Sequence, residues 1–305
     1  MENISINKFL ITGANGQLGR DLIHVLSERG YEILGTDLAE NYSGSENINY
    51  AGVDITNFDS VESVIKDFNP DRIIHCAAWT AVDAAEDEAN KEKVYAVNVV
   101  GTENIAKACK EINSVMTYIS TDYVFHGNGE KAWQPDDEGF APLNYYGWTK
   151  LEGELALKRH VEKYFLVRIA WAFGANGNNF VKIMLNLAKK FDTVRVVNDQ
   201  IGTPTYTPDL ARLLADMNES EKFGIYHATN EGGYISWYDF ACEIFKQANL
   251  NHMNVLPVTT EEYGLSKAKR PFNSRLDKSK LTLNGFKLLP DWRDALRRYL
   301  AANAN

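Results

Sequence analysis

The sequence predicts an α/β protein in which a parallel sheet is covered by helices on both faces. Three observations support this prediction: short apolar segments alternate with segments of helical periodicity, several apolar segments are continuous, and a glycine-rich turn follows the first of them. Continuous apolar strands are typical of parallel sheets that are buried on both faces. Alternating strands and helices indicate βαβ units, so the sheet is predicted to be doubly wound.

The first half of the chain shows the most regular alternation. Strands are predicted at KFLIT, YEILGT, DRIIHCAA, VMTYIS and YFLVRIA, and helices at residues 16–29, 60–68, 91–112 and 146–160. Asp59 is predicted to cap the second of these helices, because a side-chain oxygen before a helix can accept a hydrogen bond from a free backbone N–H. In such a sheet a ligand is expected in the cleft at the carboxyl ends of the strands.

The pattern becomes less regular after Ile169. Helices are predicted at residues 180–190, 209–218, 237–248 and 292–301, and strands at TVRVVN and GIYHAT. No repeat or low-complexity linker is present. We therefore predict a smaller C-terminal α/β substrate-binding domain that packs on the first. The expected division assigns residues 1–170 and roughly 193–229 to a dinucleotide-binding domain, and residues 171–192 and 230–305 to the substrate domain.

The composition excludes several classes of function. The chain of 305 residues is 45% hydrophobic and 24% charged with a formal net charge of −9, and it has no block of basic residues. Nucleic acid is therefore not expected as a partner, because binding to its backbone needs a basic surface. No apolar run approaches the length of about 18 residues that indicates a membrane span, and the first residues do not resemble a signal peptide. A cytoplasmic protein without a membrane segment is expected.

The cysteines and histidines give no sign of a metal or redox site. Cys76, Cys109 and Cys242 are widely separated and odd in number, and the six histidines lack a ligand-type spacing. Reduced thiols and no bound metal are expected.

The segment GANGQLG lies between the first predicted strand and the first predicted helix. Gly13, Gly16 and Gly19 allow a tight turn, a close approach of a pyrophosphate and close packing of the helix on the strand. This context predicts a Rossmann-type dinucleotide site. The remaining cofactor contacts expected in the turn are Asn15, Gln17 and Leu18.

Two acidic residues are candidates for the adenosine end of the cofactor. Asp37 ends the second strand, where a carboxylate can accept hydrogen bonds from both ribose hydroxyls, and no basic residue follows it directly. NADH is therefore favoured, while Arg20 leaves NADPH open as the alternative. In VDIT, Asp54 is expected to accept from the adenine amino group and Ile55 to flank the ring.

The segment NYYGWTK contains a Tyr and a Lys that are four residues apart. Tyr146 and Lys150 share one face of a predicted helix, whereas Tyr145 is five residues from the lysine and should point elsewhere. Such a pair also occurs by chance on helix surfaces, so by itself it decides nothing.

Several motifs together resemble the extended short-chain dehydrogenase/reductase family. The segments GANGQLG, HCAAWTAVDAAE, YISTDYVFHG and YYGWTK follow one another in the order and spacing of that family. The resemblance continues in GNNFVKIM, VVNDQIGTPTYTPDLA and RPFNSRLD, and so covers nearly the whole chain. It implies the reduction of the 4-keto group of a dTDP-linked deoxysugar for the synthesis of cell-surface polysaccharide.

The resemblance also implies the catalytic roles. Tyr146 supplies the proton to the carbonyl oxygen, Lys150 holds the nicotinamide ribose, and Thr121 orients the carbonyl group. Hydride arrival at a ketone creates an alkoxide that needs a proton donor within hydrogen-bond reach. The pKa of tyrosine is ordinarily about 10, and a neighbouring ammonium and the positive nicotinamide ring are expected to lower it.

Further contacts follow from the same resemblance. Expected cofactor contacts are Ala77, Ala78, Trp79, Thr80 and Ile119. Expected substrate contacts are Thr121, Asp122, Trp171, Asn179, Gln200 and Arg275. Arg275 is assigned to the diphosphate because a guanidinium can bind it with two hydrogen bonds, while Arg270 is expected only to raise the local potential. The chain departs from the family pattern at His126 and in IAWAFG, and both departures are expected near the sugar.

Three alternatives stay open. A 4,6-dehydratase of this fold has Asp-Glu after the catalytic Thr, whereas here Tyr123 follows Asp122. An epimerase of nucleotide sugars is not excluded, and neither is a cofactor-binding regulatory subunit like that of methionine adenosyltransferase. The resemblance allows a homodimer but does not predict its surface.

Overall fold

A seven-stranded parallel sheet forms the centre of the structure, a computed structural model that describes residues 6–303. The strands are β1 (Lys8–Thr12), β2 (Glu32–Asp37), β3 (Asn49–Gly52), β4 (Arg72–His75), β5 (Val115–Thr121), β6 (Tyr164–Ile169), β7 (Ala172–Phe173), β8 (Thr193–Val197), β9 (Ile201–Gly202), β10 (Thr205–Tyr206), β11 (Gly224–His227), β12 (Asn230–Glu231), β13 (Ile235–Ser236), β14 (Asn254–Val258) and β15 (Leu289–Asp291). The central sheet has the order β11-β6-β5-β4-β1-β2-β3. Every pair in it is parallel.

Helices cover both faces of this sheet, which confirms the predicted doubly wound fold. The helices are α1 (Gln17–Glu28), α2 (Phe58–Phe68), α3 (Glu88–Tyr95), α4 (Thr102–Glu111), α5 (Tyr145–His160), α6 (Phe180–Ala188), α7 (Thr207–Asn218), α8 (Trp237–Gln247), α9 (Thr260–Tyr263), α10 (Ser279–Leu283) and α11 (Trp292–Ala302). Successive residues of β1 face opposite sides: Phe9 and Ile11 pack with α1 and α7, and Leu10 packs with α2, α4 and α5. Among the described residues, none of these helices is both long and apolar enough to cross a membrane.

Helix α2 begins one residue earlier than Asp59 would allow as a cap, so that prediction is wrong. Asn57 is the capping residue, and its side chain accepts a hydrogen bond from the Ser60 amide at 3.2 Å. Asp59 lies inside the first turn, where its negative charge faces the positive end of the helix dipole.

The helix predicted at residues 91–112 is a longer run of three connected pieces. It begins with α3, continues through a π-helical segment at Ala96–Gly101 and ends with α4. The π-helical segment contains the buried Asn98, whose side chain reaches across to α5. Wider turns of this kind often occur at functional sites.

The smaller part of the molecule has its own core. Val194 and Val196 of β8 pack with Phe240 and Ile244 of α8, and β8 pairs in parallel with β14. The expected division placed β8 with the dinucleotide-binding domain, so its pairing differs from that expectation. Helix α7 and strand β11 of the same segment do join the central sheet and its core. The division into two domains otherwise stays a prediction.

Helix α5 lies unusually close to β5 and the loop that follows it. A Cβ atom on Gly147 would lie 2.4 Å from the Tyr123 carbonyl oxygen, and one on Gly153 would lie 2.3 Å from the Tyr118 hydroxyl oxygen. Real Cβ atoms do not approach other atoms so closely, so these two positions need glycine. The two glycines therefore set the distance between α5 and the end of β5.

Replacing Gly153 with Ala tests this close packing. Inserting a methyl group into a packed interface costs about 1–3 kcal/mol, whereas Gly→Ala in a helix stabilises by about 1 kcal/mol. We expect the free energy of unfolding in urea to fall by about 1 kcal/mol or more. Adding Tyr118→Phe removes the nearest obstructing atom and should recover part of the loss. Higher stability in Gly153→Ala, as for an exposed helical glycine, would show that the contact is not close.

Candidate active site

A cavity of about 630 Å³ opens at the carboxyl ends of the central strands. One wall is the turn after β1 with the start of α1, and another is the end of β5 with the start of α5. Phe180, Trp237 and Arg270 of the C-terminal half complete the lining. This is the position where a ligand is expected in a doubly wound sheet.

The glycine turn has the shape that a dinucleotide needs. Gly13 has a φ of +67°, and a Cβ on it would lie 2.8 Å from the Ala77 amide nitrogen. A Cβ on Gly19 would lie 2.1 Å from the Gly13 carbonyl oxygen, so helix and turn are in direct contact. Gly16 precedes α1 and provides no side chain to cap it. The first turn of α1, with Gln17, Leu18 and Gly19, lines the cavity, so its N–H groups suit a pyrophosphate.

Asp37 lies at the end of β2, at the side of this turn. Its carboxylate accepts hydrogen bonds from the Asn15 amide at 3.0 Å and the Leu38 amide at 2.7 Å. The Asn15 side chain is held by Ser43 and Tyr50. Neither Asp37 nor Asn15 lines the cavity itself. The pair instead braces the glycine turn against β2, and each carboxylate oxygen has capacity for a further hydrogen bond.

Asp54 and Ile55 have local structural roles. Asp54 accepts hydrogen bonds from the amide and hydroxyl of Thr56 at 2.9 and 2.8 Å. Ile55 is buried, and its side chain fills the space beside Gly101. Neither residue lines the cavity, so their expected contact with adenine stays a prediction.

The segment after β4 passes along the cavity. Ala78 and Thr80 line the cavity, as does Ile119 of β5. The Ala77 amide donates to the Thr12 hydroxyl at 3.2 Å, which joins β4 to β1.

Trp79 is held by a residue that the sequence analysis missed. Asn98 accepts from the Trp79 amide at 2.8 Å, donates to its carbonyl at 3.2 Å and donates to the Thr149 hydroxyl at 3.0 Å. The signal in the sequence was a single Asn within the apolar run YAVNVVG.

The three catalytic candidates meet at the cavity. Tyr146 and Lys150 lie on the buried face of α5, and Thr121 is the last residue of β5, as expected. Asn144 caps α5 by accepting from the Gly147 amide at 2.8 Å, which starts the helix at Tyr145.

The neighbouring Tyr145 points away from this group. Its hydroxyl donates to the Lys91 carbonyl at 3.3 Å, and it does not line the cavity. The helical register therefore separates the two tyrosines, as predicted.

Lys150 and Thr121 are fixed by short hydrogen bonds. The Lys150 Nζ atom donates to the Ile119 carbonyl oxygen at 2.8 Å and lies 4.0 Å from the centre of the Tyr118 ring. The Thr121 hydroxyl lies 3.0 Å from Asp122 Oδ1 and accepts from the Tyr123 amide at 3.2 Å.

Burial dominates the protonation of these groups. It lowers the pKa of Lys150 to about 7. Burial, followed by the charge of Asp122, raises the pKa of Tyr146 well above its usual range. The expected lowering of the Tyr146 pKa is therefore not found in the free protein, because loss of hydration outweighs the effect of the ammonium. Burial also raises the pKa of Asp122 to about 7.

Trp171 lines the cavity in an unusual backbone conformation. Its φ is +51°, which a bulky residue rarely adopts, and its ring stacks on Trp237 with the ring centres 3.7 Å apart. Phe180 packs against the other indole, with centres 4.6 Å apart. The sequence analysis missed Trp237 and Phe180, because neither is near Trp171 along the chain.

Three predicted substrate residues are engaged by protein groups. Asn179 caps α6 by accepting from the Lys182 amide, and it donates to Gln17 and to the Gly174 carbonyl. Gln200 donates to the Thr260 hydroxyl at 3.0 Å, and Arg275 donates to Asn273 at 3.0 Å. None of the three lines the cavity, so their contact with substrate stays a prediction.

The cation at the cavity wall is Arg270. It forms an ion pair with Asp83 at 2.7 Å. The sequence analysis gave Arg270 only a general electrostatic role, because it shares one basic segment with Arg275. His126 was expected near the sugar, but it packs edge-on against Trp133 and does not line the cavity. The other departure, around Trp171, does lie there.

No metal site is indicated in the part of the chain that the structure describes. Within residues 6–303, no group of three or more His, Cys, Asp and Glu side chains could hold a metal ion.

Comparison with known proteins identifies relatives over the full length of the chain. The family model described as the RmlD substrate binding domain matches residues 7–305. A dTDP-4-dehydrorhamnose reductase from Aggregatibacter actinomycetemcomitans is 42% identical, over 96% of this chain and 98% of that protein.

Two solved structures agree with this result. A dTDP-4-dehydrorhamnose reductase from Bacillus anthracis, solved in complex with NADP, is 40% identical with a TM-score of 0.88, over 97% of this chain and 99% of that one. Another from Clostridium acetobutylicum is 40% identical with a TM-score of 0.89, over 98% of this chain and all of that one (100%).

Proposed function

The chain belongs to the dTDP-4-dehydrorhamnose reductase family, and from this premise we propose that it reduces dTDP-4-dehydro-L-rhamnose to dTDP-L-rhamnose for polysaccharide synthesis. The observation that best supports this proposal is the meeting of Tyr146, Lys150 and Thr121 in a cavity that the glycine turn also lines. This arrangement joins a proton donor to a dinucleotide site, which are the two requirements for reduction of a ketone.

The cavity fits a nicotinamide cofactor, because side chains at Gly13 and Gly19 would fill the space that the turn leaves open. A reduced nicotinamide supplies the hydride for this class of reaction. The groups that would hold it are the turn and the start of α1 at the pyrophosphate, Asp37 at the adenosine ribose, and Lys150 at the nicotinamide ribose.

The side chains of the chain itself manage the proton. Reduction leaves negative charge on the carbonyl oxygen, and Tyr146 is the proton donor in the cavity wall. Because burial keeps the pKa of Tyr146 high, the phenol holds its proton until such a charge forms nearby. Thr121, fixed by Asp122 and Tyr123, provides a second hydroxyl for the same oxygen. Enclosure by Tyr146 and Trp171 limits access of water.

For the sugar nucleotide we propose two further contacts. Trp171, held by its stack on Trp237, would pack against the sugar. Arg270, oriented by Asp83, would bind the diphosphate, in addition to or instead of Arg275. Guanidinium groups bind phosphate oxygens with paired hydrogen bonds.

We further propose a cytoplasmic enzyme. The three cysteines, all within the described residues, are free thiols, which suits a reducing compartment. Association into a homodimer remains a prediction.

Replacing Tyr146 with Phe tests the proton donor. We expect reduction of the dTDP-4-keto sugar to fall by roughly 10²–10⁴-fold, because only the acidic hydroxyl is lost. NADH binding, followed by fluorescence, should change little. Lys150→Ala should weaken both activity and binding.

The matched control is Tyr145→Phe, which removes the same hydroxyl group one residue earlier on α5, outside the cavity. It should keep nearly full activity. If Tyr146→Phe also kept most of its activity, another group would be the donor.

We propose that NADH is preferred over NADPH. A carboxylate at Asp37 would repel a 2′-phosphate, Leu38 follows it without a positive charge, and Arg20 is already engaged by Asn176 and Ser43. The NADP complex of the Bacillus anthracis relative makes NADPH the alternative.

Asp37→Ala tests this preference. Hydrogen bonds to a charged group contribute about 1.5–3 kcal/mol each, so kcat/KM for NADH should fall by roughly 10- to 100-fold. The value for NADPH should fall less, because the repulsion is relieved. Glu40→Ala, which removes an exposed carboxylate in the same loop, is the control and should leave the ratio of the two values unchanged. An unchanged ratio in Asp37→Ala would contradict the proposal.

A further inference from the structure

A completely buried ion pair lies behind the catalytic residues. Glu154 of α5 and Arg168 of β6 are both 0% exposed, and their side chains form two hydrogen bonds of 2.8 and 2.7 Å. The third guanidinium nitrogen of Arg168 donates to the Pro135 carbonyl at 3.0 Å. The flat face of the guanidinium lies 4.9 Å from the centre of the Phe125 ring. Arg168 is therefore fully paired, and Glu154 is held in one orientation.

Stability alone does not explain this pair. Removing two charges from water costs several kcal/mol for each ion, and apolar residues of similar volume often replace such a pair without loss of stability. The surrounding cluster of Val124, Phe125 and Trp133 is apolar and could have continued through this position. The charges therefore suggest a role beyond packing.

Glu154 connects directly to the strand end that carries Thr121. It lies four residues after Lys150 and eight after Tyr146, so all three lie along one side of α5. Its Oε1 atom accepts a hydrogen bond from the Ser120 hydroxyl at 2.6 Å. Lys150 donates to the preceding residue of β5 at 2.8 Å. Two polar side chains of α5 thus fix the two residues that lead into Thr121.

Glu154 is also the main negative charge near Lys150. Burial lowers the pKa of Lys150 to about 7, and the charge of Glu154 is the largest influence that opposes it. Cys76 and His75 of the β4 end also face Lys150, but burial raises the thiol pKa to about 12 and lowers the imidazole pKa to about 3, so both are neutral near pH 7. Tyr118 of β5, which faces Lys150 as well, has a raised pKa and is also neutral.

The charges that face Glu154 itself come from three elements. Arg168 of β6 is its hydrogen-bonded partner, and Lys158, one turn further along α5, is a second cation. Tyr118 of β5 and Tyr164 of β6 also face it, and its negative charge helps to raise the pKa of both. With two cations around it, Glu154 remains ionised.

We propose that Glu154 is a positioning residue of the reductase: its buried carboxylate fixes the strand end before Thr121 and keeps Lys150 in its charged form. This inference rests on the proposed function only for its consequence in catalysis. The titration of Lys150 in the free protein tests it separately, so failure of one claim is distinguishable from failure of the other.

The test is the titration of Lys150 in Glu154→Gln. Lysine labelled with ¹³C at Cε is followed by NMR in the free protein, and Lys150→Arg identifies the signal. The midpoint should move below that of the wild type by about one pH unit, the order expected for charges one helical turn apart at an effective dielectric constant of about 20. With the lysine neutral at lower pH, the alkaline fall of kcat should move in the same direction.

Arg168→Lys is the matched control. It disturbs the same ion pair but leaves the negative charge of Glu154 balanced and in place. It should lower stability without moving the Lys150 midpoint. Glu154→Asp, which restores the charge on a shorter side chain, should return the midpoint toward the wild-type value.

A double variant covers the case in which Glu154→Gln does not fold because Arg168 is left unpaired. Glu154→Gln with Arg168→Met removes both charges, a change that buried pairs often tolerate. The Lys150 midpoint should again fall. A wild-type midpoint and an unchanged pH dependence of kcat in a folded variant without Glu154 would reduce the ion pair to a structural role and overturn the proposal.

Discussion

The close contact between α5 and the end of β5 is the constraint on which the rest of the site depends. Gly147 and Gly153 let the helix lie against the strand and the loop after it, since a Cβ at either position would overlap a neighbouring oxygen. Tyr146 and Lys150 come from the helix, and Thr121 comes from the strand. Their relative positions are thus fixed by backbone packing, which is more precise than a site built on loops alone.

The depth of this contact also sets the protonation of the site. Burial lowers the pKa of Lys150 and raises the pKa values of Tyr146 and Asp122, each toward its neutral form. A neutral phenol is the form that can donate a proton. An ammonium, in contrast, needs a nearby negative charge to persist, and Glu154 provides it from within the core. The same burial therefore favours the tyrosine and makes the lysine dependent on a partner.

Local patterns in the sequence predicted the central sheet, the glycine turn and the Tyr146–Lys150 register. Each of these depends on residues close together along the chain. Predictions failed where the deciding contact was distant or fine in detail: Asn57 rather than Asp59 caps α2, and β8 pairs with β14, which is some sixty residues later.

The substrate side of the site was the least predictable part. Trp237 reaches the cavity by stacking on Trp171, and Arg270 reaches it through its ion pair with Asp83, a residue far earlier in the chain. No local pattern distinguishes these residues from other aromatic and basic residues. The Glu154–Arg168 pair was missed for the same reason, because its two residues belong to different elements.

The central claim is that this arrangement performs a net reduction, and its most direct test is stoichiometry. Purified protein is given dTDP-4-dehydro-L-rhamnose and excess NADH, and NADH oxidation is compared with the amount of sugar nucleotide converted, with UDP- and GDP-linked 4-keto sugars in parallel. The account predicts one NADH oxidised for each dTDP-L-rhamnose formed. Conversion without loss of NADH, or tight cofactor binding without oxidation by any of these sugars, would contradict it.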